Sequence, residues 1–241
     1  RYTERPDAAS ASVLEGKIII VVDNSPAVMI LPVSLFDFTQ DANDFYFPPL
    51  VGTYLRLVRT AVFLLTLFLT PLWYLVLQNP QYMPSWLEFL QVKEMNKVPI
   101  IVQLLIIEFV IDGLKLASLN TPSVLSNSFS VVGALILGDF AVQARWFVPE
   151  VVLYMAFVTI ANFTQPSFEL GYAFKLSRVV LLILTAIFNI WGFIAGVVGL
   201  LILIATTKTI TGRNYLFPFY PFNGEAIVRL FIRKPINSKN T

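Results

Sequence analysis

The stretch VVLLILTAIFNIWGFIAGVVGLLILIA, residues 179–205, decides the fold class, because no charged residue occurs between Arg178 and Lys208. A helix needs about 20 predominantly apolar residues to cross roughly 30 Å of hydrocarbon, and this run is longer than that. Gly192 and Gly196 within it form a small-xxx-small pair of the kind that lets backbones approach closely. Working outward, the interval from Arg59 to Glu88 is also uncharged, with residues 60–77 almost wholly apolar. The interval from Lys115 to Asp139 is uncharged but crowded with Ser, Asn and Thr in its first half, and residues 148–163 form a further apolar block.

Composition agrees with the blocks. Of 241 residues, 56% are hydrophobic and only 13% are charged, against about 25% charged in an ordinary soluble domain, and the mean hydropathy is +0.72. Too few polar side chains remain to cover a water-facing surface. The chain has no His and no Cys, which excludes imidazole or thiolate metal sites, Cys nucleophiles, Ser-His triads and disulfides. The net charge of +2 comes mostly from Lys and Arg flanking the apolar blocks, so no nucleic-acid site is read into it. The first residue is Arg1 rather than Met, and no signal-peptide pattern follows; a fragment of a longer protein is expected.

The expected fold is an all-α polytopic membrane protein of about four transmembrane helices plus an amphipathic helix, with a small N-terminal α/β segment. Residues 1–50 read as a membrane-proximal cytoplasmic segment, 51–207 as the transmembrane domain and 208–241 as a cytoplasmic tail. In the first segment, Pro6 opens a helix and Gly16 stops it. The β-branched run 17–22, the turn residues Asp23-Asn24-Ser25-Pro26 and the apolar run 27–31 predict a β-hairpin over 17–31, or else a single extended segment. Arg56 and Arg59 precede the first span, while Lys208, Arg213, Arg229, Arg233 and Lys234 follow the last. The positive-inside rule then places both termini in the cytoplasm, with an even number of crossings. Pro71 should kink the first span, as a hinge or as packing, and Trp73, Tyr74, Tyr82 and Trp86 should sit at an interface.

Two groups of residues are candidates for function. Glu108, Asp112 and Lys115 in the apolar block 98–119 fall at helical offsets of four and three, hence on one face. Ionised groups at bilayer depth are costly, so that helix lies along an interface or turns the face towards water or protein. With Asp112 and Lys115 pairing, one acidic charge is left over per chain, which a symmetric ring would repeat as a cation-attracting vestibule. The second group is a stripe of small and polar residues, Ser123, Asn127, Ser130 and Ala134, leading to Leu137 as a constriction. Such a stripe suits a pore lining or close helix packing. Catalysis is not expected: Gly138-Asp139 has no second aspartyl-protease motif, and nothing orients Lys115 against Ser126 or Ser130. No cofactor or metal is implied.

Several stretches, in order and across nearly the whole chain, resemble one known family. Thr3-Glu4-Arg5-Pro6-Asp7 with Leu14-Glu15-Gly16-Lys17 is similar to its TERPD and LEG(R/K) signature, and IVVDNSP at 20–26 to its V-D-G-(S/T)-P hairpin. SVVGALILG at 130–138 is similar to its S-I-V-G-A-L-V-I-G helix, and Pro166-Ser167, Gly171-Tyr172-Ala173 and Leu176 to Arg178 to its P-S-Y-x-x-G-Y-A-x-R-L-x-R stretch. The family is the A subunits of bacterial spore germinant receptors, the GerA family. Asn24 stands where the family has Gly; Ser126-Asn127 stands for Gly-Gln, and Asn162 to Gln165 also departs from the receptor wording. Those departures resemble a sporulation paralogue rather than a nutrient receptor. The resemblance implies an inner-spore-membrane protein acting in germination, preceded by a cytoplasmic domain. It further implies self-association, as a pentamer, into a cation channel with other germination membrane proteins in a lipid bilayer. A non-conducting scaffold that binds those partners is the alternative.

Overall fold

The structure, a computed structural model, describes residues 1–14, 16–38, 47–92, 98–120, 141–164, 167–209, 212, 214–220 and 222–232. Two compact units divide the chain: residues 1–63, 164–171 and 198–241 form one, residues 64–163 and 172–197 the other.

In the first unit, the hairpin is present and a third strand joins it. Strand β1 (Tyr2–Thr3) and helix α1 (Pro6–Leu14) precede strands β2 (Ile18–Ile20) and β3 (Val28–Leu31). The sheet is antiparallel in the order β1-β3-β2, with Ile18 opposite Leu31, Ile19 opposite Ile30 and Tyr2 opposite Met29. Two local conformations make this possible. Gly16 leaves α1 at φ 82° and Asn24 turns the hairpin at φ 60°, a left-handed value that Asn tolerates better than other residues with a side chain. Ile30 of β3, Ala8 and Phe38 are the buried apolar side chains of this segment among the described residues. Asp37 then ties the segment together: it pairs with Lys17 at 2.6 Å and accepts from the Ser34 backbone N–H at 2.7 Å. The backbone N–H of Leu35 donates to the Tyr215 carbonyl at 3.1 Å, and the Phe36 and Phe219 rings lie 4.9 Å apart. Burial, with the Asp37 charge adding to it, pushes the Tyr215 phenol above its ordinary pKa.

The long helices are α2 (Pro49–Gln78), α3 (Ile100–Asn120), α4 (Pro149–Phe163) and α5 (Phe168–Thr206); a short helix α6 (Gly224–Phe231) follows. Among the described residues, α2 and α5 are long and apolar enough to cross a membrane. The expected count of about four spans is not shown by these residues. Helix α4, at 15 residues, reaches only about 22 Å, and the block 121–140 lies outside the described residues. Helix α2 continues through Pro71.

Helix α5 also differs from a single straight span. Asn189 has φ 54° and ψ −133°, close to the first central position of a type II′ turn, and the helix folds back on itself there. A Cβ on Gly192 would lie 1.9 Å from the Leu184 carbonyl oxygen, and one on Gly196 would lie 2.6 Å from a Leu181 methyl. In a straight helix residues 181 and 196 would be about 22 Å apart. The close backbone approach expected of these glycines is therefore made against the preceding half of the same helix.

The second unit is built inside out relative to a water-soluble domain. Its buried residues include Thr66, Thr70, Asn79, Gln103, Glu108, Lys175, Arg178 and Thr185. Its exposed ones include Leu64, Phe109, Leu153, Ile160, Ile187 and Trp191. Each large apolar side chain left in water forgoes about 1.5–3 kcal/mol, so this surface fits lipid or a protein partner. The unit also buries an apolar cluster that includes Trp73, Leu104, Ile107, Val148, Val151, Met155 and Leu182. Trp73 is buried in the protein: it is 3% exposed, donates from its indole N–H to the Leu90 carbonyl at 3.1 Å and lies 4.6 Å from the Tyr154 ring. Tyr82 and Trp86 are exposed.

Candidate functional site: a buried charge cluster

Helix α3 carries Glu108, Asp112 and Lys115 on one face, as their spacing requires. The expected amphipathic, partly embedded helix is corrected in one respect. Glu108 on its charged face is buried at 6% exposure and Asp112 is partly covered, while the adjacent Phe109 is 79% exposed. Of the two environments open to that face, protein is the one found.

The opposing charges come from the first turns of α5. Ser167 caps that helix by accepting from the Leu170 backbone N–H, and Lys175 and Arg178 follow at a spacing of three, so both project from one side. Arg178 donates from Nε and Nη2 to a single Glu108 oxygen, Oε1, at 2.8 and 2.5 Å, and from Nη1 to the Thr66 carbonyl at 2.7 Å. Lys175 Nζ reaches the other Glu108 oxygen at 3.2 Å and the Glu108 backbone carbonyl at 3.0 Å, and it also pairs with Asp112. Lys115 Nζ lies 5.8 Å from the Tyr172 ring centroid, within cation–π range.

This arrangement has a definite electrostatic character. Two carboxylates face one guanidinium and one ammonium, so the four charges cancel. Desolvating such groups costs several kcal/mol per ion, offset only when geometry and hydrogen bonding are good. The fork of Arg178 meets that condition by joining α5 to both α3 and α2, which a point-charge Lys could not do as well. Both Glu108 oxygens are committed to cations, whereas Asp112 is paired through Oδ1 and remains a third exposed.

Two polar links that sequence reasoning missed complete the unit. Gln103, fully buried, donates to the Val98 carbonyl at 2.7 Å and accepts from the Val148 backbone N–H at 2.9 Å, so it closes the start of α4 onto α3. At the turn of α5, Asn189 and Asn79 exchange reciprocal amide hydrogen bonds of 2.5 and 3.1 Å. The only signal for these in sequence is an Asn or Gln inside an otherwise apolar run. Lys175 and Arg178 could have been suspected from their spacing. The candidate pore residues Ser123, Asn127, Ser130, Ala134 and Leu137 lie outside the described residues, so the cluster and the stripe are not brought together here.

The family model described as Bacillus/Clostridium GerA spore germination protein matches residues 1–241. Stage V sporulation protein AF of Bacillus subtilis (strain 168) is 40% identical over 233 residues, 97% of this chain and 47% of that protein. Spore germination protein KA of the same strain is 29% identical over 238 residues, covering 97% of this chain and 43% of its own length. Spore germination protein GerQA of Bacillus cereus is 28% identical over 239 residues, 98% and 48% respectively. The chain thus spans about half the length of the curated relatives it matches. No solved structure matches it. With a family match from end to end, and a second unit whose polarity suits a bilayer, the chain belongs to the GerA family of spore germination membrane proteins.

Proposed function

We propose that this chain is the membrane-embedded part of a subunit that self-associates into a cation-conducting complex of the inner spore membrane and promotes ion release during germination. The supporting observation is the internal neutrality of the Glu108–Asp112–Lys175–Arg178 cluster. It makes α3 a rigid wall with no leftover acidic charge, so a conduction path has to be lined by uncharged polar groups. The stripe Ser123, Asn127, Ser130 and Ala134, ending at Leu137, supplies such groups in a chain otherwise poor in them. Glu108, Asp112 and Lys115 act in this reading as part of a vestibule wall, the two acids balanced by Lys175 and Arg178. Both termini face the cytoplasm, the subunit number is five by family likeness, and other germination membrane proteins are partners. The role is non-catalytic.

The same neutrality favours a second reading, a non-conducting scaffold whose small-residue stripe packs against partner subunits. Reconstitution separates the two. Protein in potassium-loaded liposomes is expected to leak cations, with Asn127→Leu or Ser130→Leu reducing the leak by about tenfold or more. Vesicles that stay tight would establish the scaffold instead. Glu108→Gln and Asp112→Asn are expected to act on folding rather than on ion selectivity.

A further inference from the structure

A straight helix of 39 residues would be about 58 Å long, close to twice the roughly 30 Å of a bilayer's hydrocarbon. Helix α5 is not straight, and its contacts with α2 show where each part of it runs. Arg178 Nη1 donates to the Thr66 carbonyl, and the Asn189 amide exchanges hydrogen bonds with Asn79. The chain rises about 20 Å from Thr66 to Asn79 and about 16 Å from Arg178 to Asn189. The first arm of α5 therefore lies along α2 and runs in the same direction.

Past Asn189 the direction reverses. The Phe193 ring lies 6.4 Å from the Phe68 ring, and Phe68 stands about 16 Å short of Asn79 along α2. A straight α5 would carry Phe193 about 6 Å beyond Asn189, away from Phe68. Gly192 faces Leu184 and Gly196 faces Leu181, so positions descend on one arm as they ascend on the other, the order of two antiparallel helices.

Each arm has the length and polarity of a span. Residues 168–188 rise about 31 Å and residues 190–206 about 25 Å, and spanning helices begin at about 17 residues. The second arm has no charged residue. In the first, Lys175 and Arg178 pair with Glu108 and Asp112, which relieves the cost of holding them at bilayer depth. Around the turn Phe188 and Trp191 are exposed, as are Tyr82 and Trp86 in the chain that follows Asn79; aromatic rings of this kind concentrate at membrane–water boundaries. Residues 164–171 and 198–241, which contain the two ends of α5, belong to one compact unit.

We propose that α5 crosses the bilayer twice, as a helical hairpin that turns at Asn189 on one membrane face and brings both of its ends, Ser167 and Thr207, out on the other. The inference rests on the second unit lying in a bilayer, and not on ion conduction. The chain before Ser167 and the chain after Thr207 then share one aqueous compartment, and the Asn79–Asn189 exchange marks the opposite face. A single span would separate those two ends.

The chain has no cysteine, so introduced thiols can be counted with a membrane-impermeant maleimide polymer. Glu169 and Thr206, near the two ends, and Phe188, at the turn, are exposed, which keeps the substitutions out of the packed interior. The full chain is placed in sealed vesicles of phosphatidylcholine and phosphatidylglycerol that retain an entrapped dye. For Glu169→Cys with Thr206→Cys, each molecule is expected to gain two polymers or none, whichever way it is inserted. For Glu169→Cys with Phe188→Cys, each molecule should gain one. Sodium dodecyl sulfate brings both double variants to two, since it exposes every thiol. One polymer per molecule on the Glu169 and Thr206 thiols overturns the proposal in favour of a single span. A Phe188→Cys thiol that reacts only after detergent overturns it as well, because the turn then stops inside the bilayer. Two polymers on every molecule of both variants in intact vesicles is a different failure, that of the membrane assignment itself.

Discussion

The two units place their ion pairs differently. In the N-terminal part of the first, Ile30 is inside and the Arg5–Asp7 ion pair is outside, with side chains 44% and 34% exposed. In the second, the Arg178–Glu108 pair is inside, at 4% and 7%, and Phe109 is outside. What changes is the surroundings that each surface was built for. Water pays little attention to an exposed ion pair, worth about 0–1 kcal/mol, whereas a lipid-facing unit has to hide its charges and can show its hydrocarbon.

The contrast breaks most visibly at Arg178. Arg178→Leu leaves Glu108 buried beside a reduced set of cations and removes the donor to the Thr66 carbonyl. A loss of about 3–5 kcal/mol is expected, read as a fall in the thermal unfolding midpoint in detergent. If the pair serves only to neutralise itself, adding Glu108→Leu should recover a good part of that loss, as a neutral replacement does in other buried pairs; no recovery would show that the link to α2 matters more. A second test lies within α5. Gly192→Ala puts a methyl into the Leu184 carbonyl and is expected to cost at least about 1–3 kcal/mol. Gly196→Ala meets the flexible side-chain ends of Leu181 and Leu184 and should cost less, while Gly199→Ala meets nothing within 4 Å and should be neutral or slightly stabilising. Equal effects at all three would mean that α5 is straight.

Smaller effects sharpen the comparison. Asn189→Ala removes the amide exchange with Asn79, for which about 0.6–1.7 kcal/mol is expected in a membrane setting, together with the cost of a positive φ on Ala. Asn189→Gly should retain the turn and lose only the amide contribution. At the other turn, Asn24→Gly is expected to be neutral or mildly stabilising, since only backbone conformation is at stake. The smallest change belongs to Arg5→Ala, expected within about 1 kcal/mol. Unfolding curves of the four variants under one detergent condition would rank them.

Much of the first unit was legible because its determinants are local. Pro6, Gly16 and the Asp23-Asn24 turn each act over a few residues, and they set α1 and the hairpin where the sequence placed them. β1 was missed, since two residues have no periodicity and owe their strand to pairing with β3, and so was α6 in what the sequence read as a tail. In the second unit the one-face spacing of Glu108, Asp112 and Lys115 was legible, but the pairing arithmetic based on it was incomplete. Lys175 and Arg178 lie 67 and 70 residues away from Glu108, and no local pattern records such a distance. The break at Asn189 was hidden for a different reason: hydropathy averages over a run, and one Asn scarcely alters it, while the glycines that need the break read equally well as a contact with another helix.

The hydrogen bond from Arg178 to Thr66 spans 112 residues, and the Asn79–Asn189 exchange spans 110. During synthesis, α2 and α3 leave the ribosome long before their partners exist. Glu108 and Asn79 must therefore wait in the insertion machinery or at the bilayer boundary until α5 arrives. A nascent chain that stalls before residue 175 presents an uncompensated acid to the lipid, and membrane quality-control proteases could use that as a mark of incompleteness.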